Sequence, residues 1–236
     1  MKLSIIIPVR NEEFIVKKIV EQLLSKLKIP SYEIIFINDF SSDNSVEVIK
    51  ELIKTTPQIN IYDNKKKGVG GAIVEGINKA KGEVVCIMMS DLSDNIDDLE
   101  KYYNIIKDEG LDAVFGSRFI EGAKLIDYPK KKLVLNRIFN LITKILFLSN
   151  YNDFTNAFKI YKKSALLKTF PLVSESFNIF LELPLKIISR KMKYKIIPIS
   201  WINRKEGYSK FDIKELRAKY SFTLIYCWIE KILLKK

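Results

Sequence analysis

The chain has 236 residues, of which 47% are hydrophobic and 29% charged, a balance typical of a globular domain and not of a disordered segment. It contains no histidine, which excludes a histidine general base, a Ser-His or Cys-His nucleophile and an imidazole metal site. Charge is uneven, with 16 Lys and Arg against 19 Asp and Glu up to residue 120, and 24 against 9 thereafter. The basic half suits nucleic acid, anionic lipid or a phosphorylated substrate, and the alternative is a solvated lysine-rich surface.

The first half of the chain alternates strand and helix patterns. Short apolar, β-branched runs predict strands, and the amphipathic segments between them predict helices. Strands are predicted at 3–9, 33–37, 60–62, 83–89 and 113–115, and helices at 13–27, 42–54, 68–80 and 96–108. This βαβ rhythm predicts an α/β fold with a mainly parallel sheet covered by helices.

The rhythm breaks after about residue 120. We predict helices at 132–148 and 177–189, strands at 157–161 and 194–200, and a long amphipathic helix at 213–234. The pattern predicts one domain over 1–212 followed by a C-terminal amphipathic helix over 213–236. The apolar stretches in the predicted helices at 132–148 and 213–234 are shorter than the roughly 20 residues needed to cross a bilayer, so we expect neither helix to span a membrane. They suit a membrane interface, and the alternative is a core helix or a homodimer contact.

Two further features of the sequence concern its compartment. Cys86 and Cys227 both lie in apolar runs, which predicts buried thiols in a reducing compartment. The N-terminal residues show no signal-peptide pattern. We therefore expect a cytoplasmic protein, peripheral on the inner face of the cytoplasmic membrane.

Polar residues follow four of the predicted strands. The clusters are Pro8 to Glu12, Asn38-Asp39, Ser90 to Asp94 and Gly116 to Arg118. Each alone could be a loop or a helix cap. Because strands of a parallel sheet end at the same edge, four such clusters predict one crevice that carries several carboxylates.

Three aspartates in these clusters are candidate ligands. Asp39 ends a β-branched strand and suits hydrogen bonding to a nucleoside, with a simple turn role as the alternative. Asp91 and Asp94 follow the strand at 83–89, where paired carboxylates can hold Mg²⁺ or Mn²⁺ at a diphosphate. The alternative for Asp94 is capping of the next helix.

A set of motifs extends over about residues 2–212. In order they are IIIPVRNE at 5–12, INDFSSD at 37–43, Lys67-Gly68 with Gly76 and AKG at 80–82, MSDLS at 89–93, GSR at 116–118, DFTNAF at 153–158 and RKEGYSK at 204–210. Their order and spacing resemble glycosyltransferase family 2. The likeness is strongest to its dolichyl- or polyprenyl-phosphate mannose or glucose synthase branch.

The resemblance implies a GT-A fold and assigns roles to single positions. Donor binding is implied for Pro8, Arg10, Glu12, Asp39, Gly68 and Asp91, and metal binding for Asp91 with Asp94. Acceptor binding is implied for Arg118, Lys132, Arg204, Ser209 and Lys210. A catalytic role is implied for Asp91, Arg118, Arg204 and Lys210. The chain departs from many relatives at Met89, where they carry the first carboxylate of an Asp-x-Asp motif.

The expected reaction is an inverting transfer of sugar from GDP-mannose or a UDP-hexose to a polyprenyl phosphate at a membrane surface. A phosphate acceptor is already ionised and needs only cationic positioning, which the basic second half supplies. A saccharide hydroxyl would need a carboxylate base, for which Asp153 and Glu182 are candidates. A nucleotidyltransferase is disfavoured because its Gly-rich loop should follow the first strand. A nucleotide-sugar-binding protein of reduced activity is a further alternative, and no nucleic-acid-binding motif is present.

Overall fold

The structure is a computed structural model that describes residues 1–203 and 213–234, with 213–217 as backbone alone. The elements, in chain order, are β1 (Leu3–Val9), α1 (Glu13–Lys26), β2 (Tyr32–Asn38), α2 (Ser45–Thr55), β3 (Ile59–Asp63), α3 (Val69–Lys79), β4 (Val84–Ile87), α4 (Ile96–Asp108), β5 (Ala113–Ser117), β6 (Lys124–Ile126), α5 (Lys130–Phe147), β7 (Lys159–Lys162), α6 (Lys163–Leu167), α7 (Ile179–Ser189), β8 (Tyr194–Pro198), β9 (Ser200–Ile202) and α8 (Ile213–Leu233).

A seven-stranded sheet forms the centre of the fold, in the order β3-β2-β1-β4-β7-β5-β8. All neighbouring pairs are parallel except those made by β7, which runs antiparallel to both β4 and β5. Every residue of β1 is buried, because helices cover both faces of the sheet. The predicted α/β fold with a mainly parallel sheet is confirmed.

Two hydrophobic layers enclose this sheet. One face packs against α1, α2 and α4 through residues such as Leu23, Ile49 and Leu99. The other packs against α3, α7 and α8 through residues such as Ile73 and Leu183. The carboxyl ends of β1, β2, β4 and β5 are thereby left open at one edge of the sheet.

Several elements differ from the sequence prediction. A small second sheet of β6 and β9, and the short helix α6, were not predicted. Strand β4 ends at Ile87, two residues before the predicted end. Helix α2 begins at Ser45, since the Asp43 carboxylate accepts hydrogen bonds from the Ser45 backbone N–H at 3.0 Å and hydroxyl at 2.5 Å and holds the turn before it.

The sequence correctly located helix α5, but most of its apolar residues do not face the protein core. Leu135, Ile138 and Ile145 are exposed, while Asn140 and Thr143 are buried. In the described residues, no helix is both long and apolar enough to cross a membrane.

Glycine at position 70 is required by the approach of another chain segment. The Gly70 N–H donates to the Glu175 carbonyl at 3.0 Å, and a Cβ at Gly70 would overlap the Ser174 carbonyl oxygen. We predict that Gly70→Ala lowers the free energy of unfolding by about 1–3 kcal/mol, since the backbone cannot give way as a flexible side chain could. Urea unfolding followed by circular dichroism measures this change. Asn78→Ala, exposed on the same helix, is the control, and an equal effect of both substitutions would contradict the prediction.

Candidate active site

The turns after β1 and β2 interlock at the open edge of the sheet. Asn11 adopts a left-handed backbone conformation with φ 54°, and its side-chain oxygen accepts from the Ser42 backbone N–H at 2.7 Å. The Glu12 N–H donates to the Ser45 hydroxyl at 2.8 Å. These bonds fix the backbone that follows Arg10, which is half-buried and was predicted to bind the donor. Sequence reasoning missed the role of Asn11 and Ser45, which depends on which turns become neighbours.

Asp39 anchors the Gly-rich turn at the start of α3. One carboxylate oxygen of Asp39 accepts from the Gly68 backbone N–H and the Asn64 side-chain amide, each at 2.7 Å. Gly68 has φ 119°, and a Cβ there would overlap the Glu175 carbonyl. The predicted donor residues Asp39 and Gly68 are thus in contact, and Pro8 lies buried in β1 opposite Ile37 of the neighbouring strand.

Asp91 and Asp94 lie in the turn between β4 and α4. Asp91 is half-buried, and one of its oxygens accepts from the Ser93 hydroxyl at 2.5 Å and backbone N–H at 3.1 Å. Asp94 is only 7% exposed. Burial, followed by the negative charge of Asp91, raises the pKa of Asp94 to about 8. At neutral pH Asp94 is therefore mainly protonated.

This pair has the donor chemistry that a divalent cation requires. Carboxylate oxygens suit Mg²⁺ and Mn²⁺, and the repulsion that raises the Asp94 pKa is what a bound cation would relieve. Over residues 1–203 and 213–234, no cluster of three or more acidic, cysteine or histidine side chains could hold a metal. Any cation here would complete its coordination with ligands from outside these residues.

Arg118 and Asp153 form a buried bidentate ion pair beside this turn. The Arg118 Nε–H and Nη2–H donate to the two Asp153 oxygens at 2.8 and 2.7 Å, and the Arg118 backbone N–H adds a third bond at 2.9 Å. Despite the opposing effect of burial, the Asp153 carboxylate raises the pKa of Arg118. The pair joins the end of β5 to the 152–156 loop, and the sequence motifs did not predict that these two residues bind each other.

Aromatic residues pack around the Arg118 guanidinium. Its guanidinium lies 5.6 Å from the Tyr128 ring centroid and 5.8 Å from that of Trp201, and the two rings are 5.0 Å apart. Trp201 also forms a backbone bridge to Asp94. The small β6–β9 sheet, which the sequence did not predict, therefore brings Tyr128 and Trp201 to the carboxylates and the arginine.

Lys132 extends this cationic region at the start of α5. Its ammonium group lies 5.8 Å from the Tyr128 ring centroid. Loss of surrounding water and the positive charge of Arg118 lower the pKa of Lys132, while Asp91 acts in the opposite direction. Lys132, Arg118 and Asp91 thus share one electrostatic environment.

The two proposed carboxylate bases are occupied elsewhere. Asp153 is fully buried and bound to Arg118, as described above. Glu182 is also fully buried, lies 3.0 Å from the Lys186 ammonium, and accepts from the Val173 and Ser174 backbone N–H groups. Neither carboxylate is presented to a substrate hydroxyl in this arrangement.

A buried lysine lies behind the site. Lys159 is 1% exposed and donates to the Phe154, Asn156 and Phe180 carbonyls. Burial lowers its pKa to about 7, with Asp153 opposing that shift.

The remaining predicted residues, Arg204, Ser209 and Lys210, lie outside the described residues.

Two comparisons with curated proteins support the sequence resemblance. The chain is 27% identical over 218 residues to a dolichol-phosphate mannosyltransferase of Pyrococcus furiosus, covering 92% of this chain and 61% of that protein. It is 24% identical over 220 residues to the glycosyltransferase AglD of Haloferax volcanii, covering 90% of this chain and 35% of the relative. The chain therefore spans less than two thirds of the length of either relative.

Solved structures share the fold. Glucosyl-3-phosphoglycerate synthase from Mycobacterium tuberculosis, in complex with Mn²⁺, UDP and glucosyl-3-phosphoglycerate, superimposes with a TM-score of 0.69 at 14% identity, over 98% of this chain and 79% of that one. S. aureus TarS in complex with UDP-GlcNAc gives a TM-score of 0.65 at 16% identity, over 99% and 67%. These matches confirm the predicted GT-A fold.

The family model for glycosyl transferase family 2 matches residues 4–170, which is most of the chain and includes Asp39, Asp91 and Arg118. The resemblance seen in the sequence is confirmed, and the chain belongs to glycosyl transferase family 2.

Proposed function

We propose that the protein is a hexosyltransferase that moves a sugar from a nucleotide diphosphate-sugar to a polyprenyl phosphate, with inversion at the anomeric carbon. One observation carries the proposal. A carboxylate, an arginine and a lysine, at Asp91, Arg118 and Lys132, share one electrostatic environment at the open edge of the sheet. The similarity to a dolichol-phosphate mannosyltransferase supports the choice of acceptor.

The donor would bind along the turns that follow β1 and β2. Pro8, Arg10 and Glu12 would contact the nucleoside of GDP-mannose or a UDP-hexose. Asp39 presents its carboxylate at the same edge while holding Gly68 in place. The turn at Gly68 would approach the donor through its backbone, as the absence of a side chain permits.

Asp91, with Asp94, would hold Mg²⁺ or Mn²⁺, and the bound cation would stabilise the charge that develops on the departing diphosphate. The protein's own cations act on the acceptor side. Arg118 and Lys132, together with Arg204, Ser209 and Lys210, would position the acceptor phosphate so that its oxygen faces the anomeric carbon. The acceptor needs no base because its phosphate is ionised at neutral pH.

The positions of the two candidate bases favour a phosphate acceptor over a saccharide hydroxyl. Asp153 and Glu182 are both fully buried and bound to cationic partners. Removing a proton from a hydroxyl would require one of them to leave its partner, at a cost of several kcal/mol. We further propose that the enzyme works peripherally on the inner face of the cytoplasmic membrane, with the C-terminal helix α8 at the interface.

We predict that Asp91→Asn nearly abolishes sugar transfer, since it removes the more accessible carboxylate from the proposed cation. Asp94→Asn should cost less, because Asp94 already carries a proton at neutral pH. A screen of UDP- and GDP-sugars with polyprenyl phosphate and Mg²⁺ or Mn²⁺ measures both effects. Normal turnover in Asp91→Asn would remove Asp91 from the site, and an equal loss in both variants would mean that Asp94 replaces the carboxylate absent at Met89.

For the donor, Asp39→Ala should weaken nucleotide binding by roughly 1.5–3 kcal/mol, the range for a hydrogen bond to a charged group. The variant also frees the Gly68 turn, so Asn64→Ala is the matched control that loosens the same turn but keeps the Asp39 carboxylate. Calorimetry with UDP and GDP measures both. If the two variants lose the same affinity, Asp39 acts only on the turn.

For the acceptor, Arg204→Ala and Lys210→Ala should each lower kcat/KM for polyprenyl phosphate by about 10- to 150-fold, the loss of one charge-assisted hydrogen bond. Lys205→Ala, which removes a neighbouring charge at a position with no assigned role, is the control. Efficient transfer by the wild type to a saccharide, together with loss of activity in Asp153→Asn or Glu182→Gln, would instead assign a hydroxyl acceptor.

A further inference from the structure

Helix α5 faces the opposite way from a helix that packs its apolar side into a core. Its large apolar residues point outward and are 47–63% exposed, namely Val134, Leu135, Ile138, Leu141, Ile142 and Ile145. The residues that it buries are Asn140, Thr143 and Phe147, of which only one is apolar. In a protein surrounded by water this orientation leaves most of the helix's apolar surface in contact with solvent.

Specific polar contacts fix this orientation. The Asn140 side-chain oxygen accepts from the Phe154 backbone N–H at 2.6 Å, and the Asn136 amide donates to the Thr155 hydroxyl at 2.9 Å. Both partners belong to the 152–156 loop that holds Asp153. Turning the apolar side inward would break these bonds and leave the buried Phe154 N–H of the loop without an acceptor. The outward direction of the apolar side is therefore built into the fold.

Helix α8 adds a second exposed apolar stripe beside the first. Phe222, Ile225, Ile229 and Ile232 recur at helical spacing and are 46–61% exposed. The two helices run in the same direction, because the Tyr220 ring contacts Phe139 while Lys231 donates to the Phe147 carbonyl at 2.7 Å. Helices α5 and α8 contact each other as well as α7, so their outer stripes are adjacent on the surface, and we call the two together the apolar plate.

The charges around the plate select its partner. Helix α5 contains five cationic residues and no acidic residue, and the cations are Lys130, Lys131, Lys132, Arg137 and Lys144. A second copy of the chain on a two-fold axis would bring these cations against their equivalents, which is unfavourable. An anionic lipid surface complements them, and Trp228, 39% exposed, is a residue type favoured at such interfaces.

We propose that the apolar plate rests in the headgroup region of an anionic bilayer, with α5 and α8 lying in the membrane plane. The inference rests on the proposed function, because the plate would serve to deliver a lipid-linked phosphate to the site. It adds α5 as the second membrane contact. Lys132 lies in the first turn of α5, and its ammonium group and the Arg118 guanidinium lie 5.8 and 5.6 Å from the Tyr128 ring centroid, so a bilayer under the plate places lipid phosphates next to the site.

Vesicle co-sedimentation of the full chain tests the proposal. The vesicles are phosphatidylcholine alone, or phosphatidylcholine with phosphatidylglycerol, at low and high salt. We expect binding to the anionic vesicles that weakens with salt. The double variant Leu141→Glu with Ile145→Glu should reduce the apparent affinity by about tenfold or more, since each change places a charge in the headgroup region. The control is Phe14→Glu, which changes a side chain that is 79% exposed on α1, and it should bind as the wild type does.

Two further measurements separate this proposal from the proposed function. Nucleotide affinity and transfer to a short-chain, water-miscible prenyl phosphate should be the same in the double variant as in the wild type. Vesicle binding without any sugar transfer would refute the function and leave the plate in place. Absence of binding to anionic vesicles at low salt would overturn the plate, as would unchanged binding in the double variant. A lipid-free dimer that the double variant abolishes would also overturn it and assign the plate to a second copy.

Discussion

The buried ion pair of Arg118 and Asp153 is the interaction on which the site depends. It ties the end of β5 to the 152–156 loop with two side-chain hydrogen bonds and one from the backbone. Removal of one member of such a pair leaves an uncompensated buried charge, which typically costs about 3–5 kcal/mol. The same loop receives the inner face of α5 through Asn140 and Asn136. The pair therefore connects the central sheet, the site and the membrane-facing helix that we propose.

Burial and neighbouring charges shift the pKa values of two titratable groups in and behind the site. Asp94 holds a proton at neutral pH, since burial and the charge of Asp91 raise its pKa to about 8. Lys159 lies behind it with a pKa lowered to about 7 by burial. Asp91 and the cations Arg118 and Lys132 share this region of the site, where a diphosphate with its cation and an acceptor phosphate would both need them.

One side of helix α5 packs on the protein and the other faces outward, and the sequence pattern does not show which side does which. Its periodicity shows an amphipathic helix, but gives no information on which side meets the protein. The amides on one side find partners only because the 152–156 loop passes beneath them. The apolar side is then directed outward together with that of α8, so the polar contacts of the fold determine the surface that is available to a membrane.

The sequence by itself determined the α/β rhythm, the strand-end clusters and the family, because hydrophobic periodicity and turn residues are local and their order along the chain is visible. It also placed Asp39 and Gly68 in one site, although not their direct hydrogen bond. Only the tertiary structure decided that β7 enters antiparallel between β4 and β5, that β6 and β9 bring Tyr128 and Trp201 to Arg118, and that Asp153 binds that arginine. Each of these pairings joins residues far apart in the chain, and the free energy that selects them comes from burial and hydrogen bonding between segments, which no local pattern records.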